Sequence, residues 1–317
     1  MIYTVTLNPA VDKTVKINHF QTGEVNRVQW MRQDPGGKGI NVSKVIASLG
    51  GKSVAMGIVA GNTGKWIEET LRTQGIETLL SHVSGQTRTN LKIIDEACGQ
   101  NTDINEPGTE VGEEDLNRVL SLLTDQLEEG DSVVLAGSLP KGAKTSLYAE
   151  WIEVCKKKGA KVYLDADGER LKAGIQACPF FIKPNAKEIE ELLGYPVETE
   201  AQLVQAALDI HKGGIPCVTV SLGGEGALFV YEGKVYRGQG IPVPVGSTVG
   251  AGDSMVAALA YGMEQGMEVT EAMRLALATS AANVMCDGSQ PANISQVKEL
   301  LPRAQVAENR TYLERDS

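Results

Sequence analysis

The sequence predicts an α/β fold in which a mainly parallel, doubly wound β-sheet carries helices on both faces. Short runs of β-branched and apolar residues alternate along the chain with longer segments of helical period. Strand–helix–strand order favours parallel strands joined by right-handed crossovers. Polar and glycine-rich residues follow several predicted strands, which is typical of sheets that bind ligands at the carboxyl ends of their strands.

The predicted strands are short, and most are followed by a segment long enough for a helix. We predict strands at residues 2–7, 53–59, 132–136, 161–164, 180–183 and 217–221. We predict helices at residues 40–49, 65–74, 113–128, 147–158, 186–193, 200–212 and 255–263. The charged residues after Leu301 are expected to form a peripheral tail. With 317 residues, 42% of them hydrophobic, the chain can form a single α/β domain over residues 1–317.

Two stretches depart from the strand–helix alternation. Residues 15–33 and 88–104 alternate apolar and polar side chains, which indicates antiparallel strands with one open face. We interpret them as a small β-sheet that projects from the body, a candidate lid inserted at about residues 13–35 and 88–105. Edge hairpins that complete the main sheet are the alternative. An apolar open face would be buried against a second copy, so we predict a homodimer formed through the lid.

Composition excludes several classes of function. The five cysteines are scattered without a CxxC pair and the three histidines lie far apart, which disfavours disulfide frameworks and transition-metal sites. The net charge of −10 argues against a nucleic-acid partner. No apolar run approaches the roughly 20 residues of a membrane span, and the N-terminus lacks the layout of a signal peptide. We therefore predict a cytoplasmic protein, in which any anionic substrate needs a local cluster of cations.

The most specific motif is STVGAGDS at residues 247–254, directly before the predicted helix at 255–263. The small residues Gly250, Ala251 and Gly252 allow consecutive N–H groups to point to one place at the helix start, which makes an anion site. Asp253 follows within the first turn. It can serve simply to complement the helix dipole. Beside an anion site, a carboxylate is better explained as a base that takes the proton of an attacking hydroxyl group, and we predict that role for Asp253.

A second motif is PGGKGINVS at residues 35–43. Its three glycines allow a ligand to approach the backbone closely, and Asn41 lies on the first turn of the following helix. The segment is not a Walker A loop, because Gly39 follows Lys38, and it is not a dinucleotide fingerprint, because Val42 stands where the last glycine belongs. By itself, the motif fits a ligand-binding turn and a structural turn equally well.

Two further segments are compatible with nucleotide binding. In KPNAKE at residues 183–188, Asn185 and Glu188 have the spacing of a helix capping box. The same pair suits Mg²⁺, which is commonly bound partly through waters. The segment SLGGEG at residues 221–226 follows a predicted strand and fits either the floor of a nucleotide site or a plain turn.

Taken in this order, the motifs resemble those of the ribokinase-like, or PfkB, family of carbohydrate kinases, and the resemblance covers nearly the whole chain. GGKGINVS at 36–43 and STVGAGDS at 247–254 are similar to the two family signatures, and Asn185 with Glu188 is similar to its magnesium motif. The resemblance implies a ribokinase-like α/β fold with a β-sheet lid. Within the family, the chain is most similar to the 1-phosphofructokinases, with the tagatose-6-phosphate kinases second. The segments most similar to those of the 1-phosphofructokinases are NPAVD at 8–12, GEVNRV at 23–28, TRTN at 87–90, AGSLP at 136–140 and KPN at 183–185.

The resemblance implies ATP-dependent, Mg²⁺-assisted phosphorylation of a ketohexose phosphate, with fructose 1-phosphate converted to fructose 1,6-bisphosphate. The implied catalytic residues are Asp253 as the base and Gly250, Ala251 and Gly252 as the anion site. The implied acceptor-binding residues are Asp12, Arg27, Gly36, Gly37, Lys38, Asn41, Arg88, Asn90 and Ser138, of which Arg27, Lys38 and Arg88 would bind the sugar's phosphate. The implied ATP-binding residues are Lys183, Asn185, Ser221, Gly223, Gly226, Thr248 and Asn283. Glu188 would bind Mg²⁺, directly or through water.

Three alternatives to this function are weighed against the sequence: another acceptor, an oxidoreductase and a non-catalytic sensor. The acceptor can be tagatose 6-phosphate, giving tagatose 1,6-bisphosphate. A Rossmann-type oxidoreductase would need a GxGxxG fingerprint with an acidic residue about 20 positions later, and the sequence contains none. A non-catalytic sugar-phosphate sensor on the same scaffold would be favoured by changes at Asp253 or at the glycines before it, and these residues are intact.

Overall fold

The computed structural model describes residues 1–286, 288 and 290–309 of the chain. In chain order its strands are β1 (Ile2–Thr6), β2 (Ala10–Ile17), β3 (Trp30–Gly36), β4 (Val54–Ala60), β5 (Glu77–Val83), β6 (Arg88–Asp95), β7 (Gln100–Asn105), β8 (Ser132–Ala136), β9 (Lys161–Asp165), β10 (Phe181–Ile182), β11 (Cys217–Ser221), β12 (Gly226–Tyr231), β13 (Lys234–Gln239) and β14 (Val306–Glu308). Its α-helices are α1 (Lys38–Ser48), α2 (Gly61–Thr73), α3 (Glu113–Gln126), α4 (Leu147–Lys157), α5 (Gly168–Gln176), α6 (Ala186–Leu193), α7 (Glu200–Lys212), α8 (Ala251–Glu264), α9 (Val269–Val284) and α10 (Ile294–Leu300).

The described residues form a main sheet of ten strands in the order β14-β13-β12-β11-β10-β9-β8-β1-β4-β5. The seven strands from β11 to β5 run parallel to one another. The strands β12, β13 and β14 add an antiparallel edge. The predicted mainly parallel α/β sheet is therefore confirmed.

Helices cover both faces of the main sheet, as the strand pattern requires. Along β8, Val133 and Leu135 pack on the face covered by α3 to α7, while Val134 and Ala136 pack against α1, α8, α9 and α10. Successive side chains of a strand point to opposite faces, so a strand buried on both sides is apolar throughout. Burying one Val or Leu side chain stabilises the fold by about 1.5–3 kcal/mol. No helix in the described part of the chain is both long and apolar enough to span a bilayer.

The carboxyl ends of the central strands form one continuous edge, because these strands are parallel. Gly137, after β8, donates its N–H to the carbonyl of Asp165 at the end of β9, with an N–O distance of 3.0 Å. Lys183, after β10, places its Nζ 3.8 Å from Asp165 Oδ1. Ser221, at the end of β11, donates its N–H to the carbonyl of Pro184 at 3.0 Å. The polar strand ends recognised in the sequence thus lie side by side.

A second sheet, which we call the smaller sheet, has four strands among the described residues, in the order β3-β2-β6-β7. It is separate from the main sheet, so the alternative of edge hairpins is wrong. The prediction of purely antiparallel strands is also wrong, because β2 pairs with β6 in parallel. The chain between these strands passes through β3, α1, β4, α2 and β5, and a long crossover of this kind permits parallel pairing.

The predicted helices and strands all occur, with small shifts of their ends. Several elements lacked a clear signal, namely β5, β12, β13, β14, α5, α9 and α10. Within the predicted tail, Val306–Glu308 pairs with β13 at the edge of the main sheet. The rest of that prediction, residues 310–317, lies outside the described residues.

Candidate active site

The head of helix α8 provides unpaired backbone N–H groups. Gly250 caps the helix with a φ of 81°, a left-handed conformation that glycine adopts without strain. Ser254 donates its N–H to the Gly250 carbonyl at 2.8 Å and so begins the helical hydrogen bonding. Within the described residues, the N–H groups of Gly252 and Asp253 have no recorded acceptor, as expected for a first turn. This helix start therefore has two N–H donors and a positive dipole end available for an anion.

Asp253 is buried in that first turn, and its side chain is held from the opposite side of the site. Asn41, on α1, donates from Nδ2 to Asp253 Oδ2 at 2.8 Å. Burial, and after it the negative charge of Asp165, raises the pKa of Asp253 to about 6, although Lys38, Asn41 and Lys183 act against the rise. A carboxylate with such a pKa is mostly ionised at neutral pH and is a stronger proton acceptor than an exposed aspartate.

Two ammonium groups converge on the buried carboxylate of Asp165. Lys38 donates from Nζ to Asp165 Oδ1 at 3.1 Å, and the Nζ of Lys183 lies 3.8 Å from the same oxygen. Burial alone would raise the pKa of Asp165, but Lys183 and Lys38 together hold it below its ordinary value. The other oxygen, Oδ2, is buried without a hydrogen-bond partner among the described residues. A β-carbon built on Gly252 would lie 3.1 Å from Lys183 Nζ, so this cluster adjoins the head of α8.

Asp165 was not predicted as a site residue. It directly follows the predicted strand at residues 161–164, and that position is the signal that could have identified it. Lys38 was grouped with Arg27 and Arg88, but the structure pairs it with Asp165 instead. Arg27 is exposed on the loop between β2 and β3 and makes no hydrogen bond or ion pair to the described part of the chain. The structure therefore holds Lys38 at Asp165 and leaves Arg27 exposed on its loop.

Arg88 lies at the end of the smaller sheet that faces the main sheet. It donates from Nη1 to the carbonyl of Glu106 and from Nη2 to the carbonyl of Asn8, both at 3.0 Å. Its Nη2 also lies 3.3 Å from Ser138 Oγ, and burial lowers the pKa of the guanidinium. Two predicted acceptor-binding residues, Arg88 and Ser138, are thus in contact.

Asp12 and Asn90 face each other across the parallel pair β2 and β6. Asn90 donates from Nδ2 to Asp12 Oδ1 at 3.0 Å, and the two residues line a cavity of about 240 Å³, together with Val249 before α8 and Gly288 after α9. Gly36 packs directly against the Asp12 carboxylate, where a β-carbon would overlap its oxygens. Gly37 has a φ of 115°, and a β-carbon there would lie 2.6 Å from a side-chain atom of Thr6. Both glycines are therefore required for the turn that borders the cavity.

A second and larger cleft, of about 360 Å³, lies on the other side of the head of α8. The predicted residues Ser221, Gly223, Gly226 and Thr248 line it, together with Ala251 and Gly252. Most of its remaining wall is apolar and was not predicted, because it comes from the loop after β13 and from positions of α8 and α9 outside the motifs. These residues are Ile241, Pro242, Val243, Val245, Met255, Leu277, Ala281 and Val284. An apolar cleft that ends at an anion site has the chemistry needed for a nucleotide.

Asn185 and Glu188 form the predicted capping box at the start of α6. Glu188 donates its N–H to Asn185 Oδ1 at 2.9 Å, and Asn185 donates its N–H to Glu188 Oε2 at 2.8 Å. Burial raises the pKa of Glu188. Neither residue lines the large cleft. Asn283 donates from Nδ2 to the carbonyl of Gln290 at 2.8 Å and adjoins Gly250, so it supports the turn before α8.

The residues near this point are compatible with Mg²⁺. Asp165 and Glu188 are close enough for the charge of Asp165 to raise the pKa of Glu188, and Asp165 Oδ2 has no partner among the described residues. Mg²⁺ prefers oxygen ligands and is commonly held by one or two carboxylates, with phosphates and waters supplying the rest. The described residues contain no group of three or more acidic, histidine or cysteine side chains arranged around a metal. Two carboxylates are nonetheless sufficient for an ion that is bound together with a nucleotide.

Comparison with known proteins supports the same kind of chemistry. A model of the pfkB family carbohydrate kinases matches residues 5–296. The 1-phosphofructokinase of Bacillus subtilis (strain 168) is 37% identical over 309 residues, which are 96% of this chain and 99% of that protein. The tagatose-6-phosphate kinase of Staphylococcus epidermidis (strain ATCC 35984) is 33% identical over 311 residues, which are 97% of this chain and 100% of that protein.

Solved structures of related kinases have a similar fold. Phosphofructokinase-2 of Escherichia coli in complex with substrates and products matches with a TM-score of 0.91 and 29% identity, covering 95% of this chain and 98% of the other. A tetrameric inhibited form of that enzyme matches with a TM-score of 0.89. Because the family model covers most of the sequence and the relatives match over nearly their full length, the chain belongs to the pfkB family of carbohydrate kinases.

Proposed function

We propose that this kinase transfers the γ-phosphoryl group of ATP to the free primary hydroxyl of fructose 1-phosphate and so forms fructose 1,6-bisphosphate. The observation that carries the proposal is the meeting, at the head of α8, of the buried Asp253 carboxylate, two unpaired N–H groups and the ammonium group of Lys183. A cleft of nucleotide size and a polar cavity flank this point. The similarity to 1-phosphofructokinases supports the choice of acceptor.

In the proposed reaction, Asp253 accepts the proton of the attacking hydroxyl as the new O–P bond forms. Charge spreads over the oxygens of the transferring phosphoryl group in the loose transition state. The N–H groups of Gly252 and Asp253 would donate to those oxygens, and they would need no reorganisation when the charge develops. Lys183 and Lys38 add positive charge on the same side, anchored by Asp165.

Glu188 and Asp165 would hold Mg²⁺ in this reaction, with Asn185 fixing the orientation of Glu188 through the capping box. When bound, the ion neutralises charge on the phosphate oxygens of the nucleotide. Ser221, Gly223, Gly226 and Thr248 would then border the nucleotide itself.

On the acceptor side, Asp12 and Asn90 would hydrogen-bond the sugar hydroxyls in their shared cavity, beside the close-packed Gly36 and Gly37. Asn41 has a second N–H on Nδ2 that can serve the same purpose. Arg88 would bind the phosphate of the sugar together with Ser138, with which it already makes contact.

The smaller sheet would act as a lid on the single domain. Arg27 lies in the exposed loop of that sheet, and closure would bring it toward the sugar phosphate while excluding water from the reacting groups. The outer residues Val25, Met31 and Ile104 are 82%, 52% and 52% exposed. Covering them with the same surface of a second copy would give a homodimer of cytoplasmic enzyme.

Tagatose 6-phosphate is the second candidate acceptor, favoured by the similarity to a tagatose-6-phosphate kinase. A ketofuranose bisphosphate is nearly symmetric end to end, so a phosphate clamp and a hydroxyl cavity need not separate the two acceptors. An assay that couples ADP formation to a dehydrogenase reaction is run with fructose 1-phosphate, tagatose 6-phosphate and fructose 6-phosphate. We expect the highest kcat/KM with fructose 1-phosphate. A clear preference for tagatose 6-phosphate would contradict the acceptor, and no ADP with any sugar phosphate would contradict the activity.

A further inference from the structure

Lys44 is a buried cation on α1 that none of the motifs identifies. Only 4% of the residue is exposed, and it lies one helical turn after Asn41. Its Nζ donates to the carbonyl of Pro35 at 3.0 Å and lies 3.4 Å from Asn41 Oδ1. The other end of the same amide, Nδ2, donates to Asp253. Lys44, Asn41 and Asp253 therefore form a continuous chain of polar contacts.

The chemistry of the two ends determines how the amide of Asn41 is oriented. An ammonium group has only donors, and an ionised carboxylate has only acceptors. The amide oxygen must therefore face Lys44 and the amide nitrogen must face Asp253. Rotating the amide by 180° would set two donors against each other at one end and two acceptors at the other.

We propose that Lys44 is a positioning residue for phosphoryl transfer, which acts by holding the Asn41 amide in the one orientation that fixes the Asp253 carboxylate. This inference rests on the proposed role of Asp253 as the base. Asn41 donates to that carboxylate and occupies its Oδ2 atom. The oxygen Oδ1 is thereby left for the acceptor hydroxyl.

The charge of Lys44 acts in the same direction as its hydrogen bonds. Burial lowers the pKa of Lys44, while Asp34, Asp12 and Asp253 favour its protonated form and Arg32 opposes it. By reciprocity, a protonated Lys44 favours the ionised form of Asp253. Among the described residues, the charged groups that act on Asp253 are Lys38 and Lys44 on α1, Asp165 on β9 and Lys183 after β10.

The experiment compares the wild-type chain with Lys44→Met, Lys44→Arg and Val45→Ala in the proposed kinase assay. For each protein, kcat, both KM values and the pH profile of kcat/KM are measured at a temperature where circular dichroism shows it folded. Val45 is buried on the same helix, so its truncation is a matched control for lost stability.

We expect Lys44→Met to lower kcat by about 10–100-fold, the usual effect of losing a partner that orients a reactive group. The KM for ATP should change less than about twofold, because the contact lies on the acceptor side of Asp253. The acid limb of kcat/KM should move to higher pH, since Asp253 loses both a cation and an oriented donor. Lys44→Arg should recover most of kcat, and Val45→Ala should leave the acid limb in place.

A double-mutant cycle tests the route of the effect. If Lys44 acts through Asn41, then Lys44→Met should cost less than about twofold in kcat when Asn41 is already alanine. If Lys44→Met instead lowers kcat by the same factor in both backgrounds, the effect of Lys44 does not pass through Asn41, and the proposed route is overturned. An active wild type with an unchanged kcat and pH profile in Lys44→Met would overturn the positioning role alone. An inactive wild type would overturn the proposed function and this inference with it. Should Lys44→Met not fold, Lys44→Gln takes its place: it loses the charge but can still donate to Asn41 Oδ1, so the acid limb should move to higher pH by the loss of the cation alone. An unmoved acid limb in Lys44→Gln would overturn the role of Lys44.

Discussion

The variant Asp253→Asn tests both consequences of burying a carboxylate at the head of α8. Asparagine keeps the shape of the side chain, and its oxygen can still accept from Asn41, but it cannot take a proton from the acceptor hydroxyl. We expect kcat to fall by roughly 10²–10⁴-fold, the usual contribution of a general base. The KM values for both substrates should change far less, because the cavity and the cleft on either side keep their walls.

The same substitution should stabilise the fold at neutral pH. The folded protein holds Asp253 with a pKa of about 6, compared with 3.8 for an unperturbed aspartate. Between these values the native state binds more protons than the unfolded state, so the free energy of unfolding falls as pH rises from about 4 to 6. The shift of about two pKa units corresponds to about 3 kcal/mol above pH 6. Asparagine does not ionise, so the variant lacks this free-energy cost of a buried charge.

The assay is thermal unfolding of wild type and Asp253→Asn at pH 5 and pH 8, with the exposed Asp125→Asn as control. For 317 residues, about 3 kcal/mol corresponds to a rise in Tm of about 4 °C at pH 8. The gain should be smaller at pH 5, and Asp125→Asn should show no comparable difference between the two pH values. An equal Tm change at both pH values would refute the raised pKa. Retention of more than a tenth of wild-type kcat, with chemistry rate-limiting, would refute the role of base.

Three further outcomes are expected. Arg88→Ala should raise the KM for the sugar phosphate at least tenfold while sparing that for ATP, because its contacts lie on the acceptor side; equal rises would count against the clamp. Gly36→Ala should weaken acceptor binding, because the new β-carbon displaces the Asp12 carboxylate. Gly112→Ala should not, because its β-carbon makes only an ordinary van der Waals contact, and identical kinetics of the two variants would argue against the close packing at Gly36. The acid limb of kcat/KM should lie near pH 6, the pKa of Asp253, and a profile flat to pH 5 would contradict that assignment.

The sequence alone determined the features that depend on neighbouring residues. Apolar strand runs followed by helical periods predicted the parallel sheet, since buried strands are apolar on both faces. The small residues before Asp253 predicted a helix start with unpaired N–H groups, because the N–H donors of a first turn have no helical acceptors. The spacing of Asn185 and Glu188 predicted a capping box, which formed as expected.

Only the tertiary structure decided which distant groups meet at the site. Lys38 pairs with Asp165 across 127 positions, and Asn41 reaches Asp253 across 212. No local pattern encodes such distances, because they follow from the order of strands in the sheet and from the packing of α1 against α8. The burial of Lys44 could not be predicted from the sequence for the same reason. A lysine in a helix is ordinarily exposed, and only the folded chain buries this one beside the amide that orients Asp253.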